Sequence, residues 1–211
     1  MYPIADIPLD PFLPADAEFW VPGPEDIDEY EGFGLFQDVW TITDVPVAEA
    51  AAVASEDREL CRVVGDLARD AAGFDLIAMA VQAGSADEVE GISDATLAAL
   101  GPYLTGRVAL EGLEAGVAGL VYMLAAAGMF PAASCRGHPE PDAWSAFPVV
   151  FLAADRPHAE ALQPLVACSG CGFTSDPLRP GFLVINGRSV QDTQRLAEAL
   201  LRSIGTFGEP G

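Results

Sequence analysis

The chain contains no lysine. That excludes a Gly-x-x-x-x-Gly-Lys phosphate loop, whose lysine must reach the terminal phosphates. The ten cations are all arginine, set against 32 acids, and the formal net charge is −22. Arg58 is the first of them, whereas residues 1–57 hold fourteen acids. A field of that sign opposes free nucleic acid and anionic membrane, both rich in phosphate. It suits a protein partner with a basic surface. The N-terminus, Met1-Tyr2-Pro3-Ile4-Ala5-Asp6, lacks the basic region and long apolar run of a signal peptide. The expected location is therefore cytoplasmic.

Histidine is scarce, with only His138 and His158, and there are four cysteines. No Ser/His/Asp set can be argued from spacing. His158 reads as a surface residue at a helix start, and Cys61 as a buried thiol in an apolar helical stripe. The other three cysteines are not scattered. Cys135-Arg136-Gly137-His138 is answered by Cys168-Ser169-Gly170-Cys171. Two pairs, each split by two residues, match the spacing of a four-ligand zinc site. Each turn carries a glycine before its second ligand, where positive φ lets backbone N–H groups curl toward sulfur. Such usage points to metal ligation in a reducing compartment rather than a disulfide framework. The expected cofactor is a structural Zn2+ on Cys135, His138, Cys168 and Cys171.

Proline punctuates residues 1–46, with aromatics between, which predicts an acidic extended arm laid over a core. A short strand is expected near Phe36–Thr43. Residues 47–106 read as a helical region. Apolar residues recur at three- and four-residue steps over 47–72, with Gly73 as a stop. Phe74–Gln82 is apolar and ambiguous between helix and strand. Ser93 caps a helix ending at Gly101-Pro102. Residues 107–128 are expected as one helix. The stretch 115–135 carries no charge, but Gly128 and Pro131 limit it to about fifteen helical residues. At 1.5 Å each these span about 22 Å, short of the roughly 30 Å of a bilayer core.

From residue 107 to 211 the predicted order is α-β-β-α-β-β-α. The fold class is thus α+β, a helical N-terminal half packed on a mostly antiparallel sheet and clipped by a zinc knuckle pair. The three segments, 1–46, 47–106 and 107–211, are expected to form one domain. Strands are predicted at Pro131–Cys135, Phe147–Ala154, Gly172–Ser175 and Phe182–Asn186. Asp155 and Pro157 start a helix to about Leu165, bent or broken near Pro164. Ser189 caps the last, amphipathic helix, which ends before Gly205.

His138-Pro139-Glu140, followed by Cys168-x-x-Cys171, resembles the H-x-E…P-C-x-x-C signature of the zinc-dependent nucleobase and nucleoside deaminases. The resemblance implies zinc on His138, Cys168 and Cys171, with Glu140 as the acid/base. A fourth ligand at Cys135 instead favours a closed site with no position for water. The sequence therefore supports a non-enzymatic, zinc-stabilised module of antitoxin, immunity or adaptor type that binds a basic partner. The alternative is a zinc-dependent hydrolase.

Overall fold

Alternation in the strands decides which side of the sheet the helices cover. The computed structural model describes residues 2–26, 43–83, 93–105, 110, 112–179 and 181–207. Four strands, β1 (Phe130–Cys135), β2 (Val149–Ala153), β3 (Gly172–Ser175) and β4 (Leu183–Asn186), form one sheet in the order β1-β2-β4-β3. Every neighbouring pair is antiparallel. Val150, Leu152, Phe173, Leu183 and Ile185 point into the main core. Val149, Phe151 and Val184 point to the opposite face, with Cys135 beside them. The two-residue period thus separates a helix-covered face from an outer one.

Six helices are described: α1 (Val47–Leu67), α2 (Ala71–Ala83), α3 (Asp94–Thr105), α4 (Ala118–Ala126), α5 (Arg156–Ser169) and α6 (Val190–Ser203). From α4 onward the order is α-β-β-α-β-β-α. All nine residues of α4 are buried, and it packs on α1, α6 and β1. α1 also packs on α6, so N-terminal helices and sheet unit share one core. Among the described residues no helix is long and apolar enough to cross a membrane.

A wholly apolar helix has no side chain of its own to satisfy its first N–H groups. Here α1 supplies one. Asp57 accepts from Gly116 N–H at 2.5 Å and Gly119 N–H at 3.0 Å. The carboxylate is 1% exposed, and burial pushes its pKa up to about 6 despite those bonds. Gly119 is needed there, since a Cβ would come within 2.8 Å of Ala54 Cα on α1.

Several boundaries differ from the sequence reading. Among the described residues, the helix expected over 107–128 is seen only as α4, because Gly112 and Gly116 adopt positive φ (82° and 100°) and bend the chain before it. Gly73 does not stop a helix; α1 ends at Leu67, and Gly73 lies inside α2, its N–H bonded to Asp70. Phe74–Gln82 is helical. α3 begins as expected, with Ser93 Oγ accepting from Thr96 N–H at 3.3 Å, but runs on to Thr105. α5 continues through Pro164 to Ser169, taking Cys168 into its last turn. The strand expected at Phe36–Thr43 lies outside the described residues.

The described residues 2–26 of the arm run over the core. Tyr2, Leu13, Ala17 and Phe19 pack against it, and Trp20 reaches the outer face. Asp10 C=O accepts from Phe173 N–H at 2.6 Å, so the arm covers the β3 edge. Trp20 donates its N–H to Ala154 C=O at 3.0 Å and its indole N–H to Gly181 C=O at 2.6 Å.

Candidate metal centre

β1 ends at Cys135 and turns sharply through Arg136-Gly137-His138. Gly137 sits at φ 84°, and its N–H donates to Cys135 Sγ at 3.3 Å. No side chain fits at Gly137, because a Cβ would lie 2.5 Å from Phe147 Cα. The turn therefore behaves as its glycine implied, curling a backbone donor onto sulfur.

His138 is gripped from both sides. Its Nδ1 lies 2.9 Å from Asp75 Oδ1 on α2, and its Nε2 lies 2.9 Å from Glu114 Oε1, just before α4. The bond to Asp75, then those to Cys135 and Glu114, push the His138 pKa up to about 12. The ring is thus an imidazolium at neutral pH.

Arg136 closes the other side of the cluster. Its side chain is 1% exposed. Its Nε and Nη2 donate to Asp75 Oδ1 at 2.8 and 2.5 Å, and Nη1 donates to Gln82 Oε1. Its backbone N–H donates to Glu114 Oε2 at 2.7 Å. A buried guanidinium is tolerable only with such partners. Burial alone would raise the pKa of Asp75 and of Glu114. Hydrogen bonds from His138 and the charge of Arg136 outweigh that and hold both below the ordinary carboxylate range.

Two groups of side chains here have ligand atoms within 4.8 Å of one another: Glu114, Cys135 and His138, and Asp75, His138 and Glu140. Zinc bonds of about 2.0–2.3 Å in a tetrahedron separate ligand atoms by roughly 3.4 Å. The first group fits an ion after small side-chain movements. Its donors, thiolate, imidazole and carboxylate, are those zinc takes. Asp75 on Nδ1 would then fix the ring while Nε2 faces the ion, as ligating histidines require. A cavity of about 150 Å3, between Pro3–Ala5 and residues 136–139, opens onto His138.

The other two expected ligands are elsewhere. Cys135, Val149, Asn186 and Gly172 are successive partners across the sheet, so both turns do lie at one end of it. They occupy opposite edges, however. Three strand spacings of about 4.8 Å put those edges about 14 Å apart. Cys171 also faces the helix-covered core, whereas Cys135 packs with the outer face. Cys168 is exposed at the end of α5, its Sγ 3.3 Å from Leu165 C=O. Burial drives the Cys171 thiol up to about 12, away from thiolate character. Cys135 and His138 are brought together; Cys168 and Cys171 do not join them. The knuckle-pair clip and the His138/Cys168/Cys171 set implied by the deaminase resemblance are not assembled. Exposed Glu140 lies near His138, in the second of the two groups, but not beside Cys168 and Cys171 as the deaminase resemblance implies.

Asp75, Glu114 and Arg136 complete the cluster, and spacing rules find none of the two acids. Their signal is context. Asp75 is a lone acid in an apolar run, and Glu114 is the last charge before residue 136. No protein-family model matches the sequence, and neither a curated protein nor a solved structure matches it.

Proposed function

We propose that this protein is a non-enzymatic, metal-stabilised interaction module that docks a basic protein partner. The ion, Zn2+ by donor chemistry, sits among Cys135, His138 and Glu114. It ties the end of β1 to the segment leading into α4, and through Asp75 to α2. The observation that carries this reading is the convergence of those three donors within 4.8 Å. The partner surface is the arm, where Asp6, Asp10, Asp16, Glu18, Glu25 and Asp26 are all exposed. The main cationic side chains of the centre are turned inward onto acids, which leaves the outward field negative.

Cobalt substitution is the test. One Co2+ per chain, with a sulfur-to-metal absorption band lost in Cys135→Ser and kept in Cys168→Ser and Cys171→Ser, is the expected result. A band that depends on Cys168 and Cys171 overturns the assignment. Docking is tested with an arginine-rich peptide, whose binding must weaken steeply with salt.

A hydrolytic reading has one observation in its favour. Three protein donors leave a fourth position for water, and a cavity lined in part by His138 lies next to the group. Hydrolysis dependent on both metal and Glu140 would select it.

A further inference from the structure

The outer face of the sheet holds an open cavity of about 270 Å3, close to the lower end of small-molecule sites near 300 Å3. Val149, Phe151 and Val184 form its apolar floor, and Trp144 and Phe147 its wall. Trp144 stacks on Phe151 with centroids 5.4 Å apart and planes 29° apart, yet remains 54% exposed. One face of a large aromatic system is thus held in place and left open to solvent. That is a platform for another flat ring.

The floor also carries a polar group with unspent capacity. Asn186 is only 5% exposed. Its Nδ2 donates to Thr174 Oγ1 at 3.0 Å, and among the described residues its Oδ1 has no hydrogen-bond partner. Buried amides are nearly always satisfied, so such an atom needs an explanation. Thr174, having accepted from Asn186, keeps its own O–H free to donate. An acceptor and a donor therefore stand side by side beneath the aromatic wall. Turning the amide end for end exchanges their roles but keeps one of each. The charges beside the cavity cancel locally, since Arg179 Nε lies 2.5 Å from Asp176 Oδ2. The net charge of the chain disfavours a phosphorylated ligand.

We propose that this cavity binds a neutral planar heterocycle presenting an N–H donor beside an acceptor, the edge of a nucleobase or cyclic amide, stacked against Trp144 and paired with Asn186 and Thr174. The cavity borders the metal centre, since Cys135 packs with Val149 and Val184, but it shares no lining residue with the donor group and its binding rests on none of those donors.

The test is 15N-edited NMR of the full chain titrated with 9-methyladenine and with 1-methyluracil. At least one should shift the Asn186 side-chain amide together with the Thr174 and Phe151 backbone amides. 9-Methylpurine and 1,3-dimethyluracil, which lack the N–H, should bind about tenfold more weakly, the worth of one hydrogen bond to a buried partner. Asn186→Ala should abolish the discrimination. Should that variant misfold, Thr174→Val, at an exposed position, supplies the same comparison. The proposal is overturned if neither base moves those resonances at millimolar concentration. It is equally overturned if the blocked analogues bind as well as their parents, or if a folded Asn186 or Thr174 variant still discriminates.

Discussion

Asp57 on α1 caps the N-terminus of a helix to which it does not belong, through Gly119 N–H at 3.0 Å and Gly116 N–H at 2.5 Å. Asp57→Ala strands two buried donors and should cost about 2–4 kcal/mol in urea unfolding. Gly119→Ala tests the same contact from the other side. Its Cβ meets Ala54, and it should cost about 1–3 kcal/mol by overpacking.

The Asp57 carboxyl also gives stability a sign with pH. Its folded pKa, about 6, stands above the unfolded value near 3.8, so the folded state holds the proton longer. Its contribution is present at low pH and lost as pH rises from about 4 to 6, on the order of 3 kcal/mol. The stability difference between wild type and Asp57→Asn should therefore swing toward the variant across that window. Chemical denaturation at half-unit pH steps measures it; a flat difference refutes the buried-acid reading.

His138 behaves oppositely. Its folded pKa is raised above the unfolded value near 6.5, so its contribution is full below 6.5 and fades only as pH climbs toward 12. The metal-free protein should show no His138 titration by NMR between pH 5 and 9. A midpoint near 6.5 would contradict the clamp between Asp75 and Glu114. His138→Ala, which leaves both carboxylates short of a partner, should lower stability by about 2–4 kcal/mol at pH 7.

Metal entry must displace that imidazolium proton, because a ligating imidazole is neutral. Apparent zinc affinity should rise at least about tenfold per pH unit between pH 6 and 8. Calorimetry in buffers of differing ionisation heat counts the protons released. Zero protons per ion would place the metal away from His138.

Gly172→Ala should loosen the arm while sparing the main core. An added Cβ would lie 2.9 Å from both Asp10 N and Asp10 O, where the arm crosses the β3 edge. Trypsin cannot report this, since the first basic residue is Arg58. A protease specific for acidic residues should cut the variant at Asp10, Asp16 or Glu18 faster than the wild type.

The sheet and its helices were legible because β2 and β4 are short apolar runs and each C-terminal helix has a cap. Asp155 bonds His158 N–H, and Ser189 and Asp192 form a capping box. The failures have a common cause. Gly73 and Pro164 are breakers by local propensity, but tertiary packing carries α2 and α5 through them. Conversely Gly112 and Gly116 turn the chain where propensity saw only an apolar helix. Half of the centre was readable because Cys135 and His138 lie on one turn, where spacing fixes proximity. The other half was not, since sequence spacing says nothing about which sheet edge a turn occupies. Asp57 followed the apolar register of Val53, Cys61 and Val64, yet only the partner helix reveals its role.

The arm over β3 also orders events in time. Asp10 and Trp20 leave the ribosome early, whereas Phe173 and Gly181, which receive them, emerge more than 150 residues later. The arm is thus made well before the strand that receives it. Until then the Asp10 carbonyl and the Trp20 indole have nothing to dock on, so covering the β3 edge is a late step of folding.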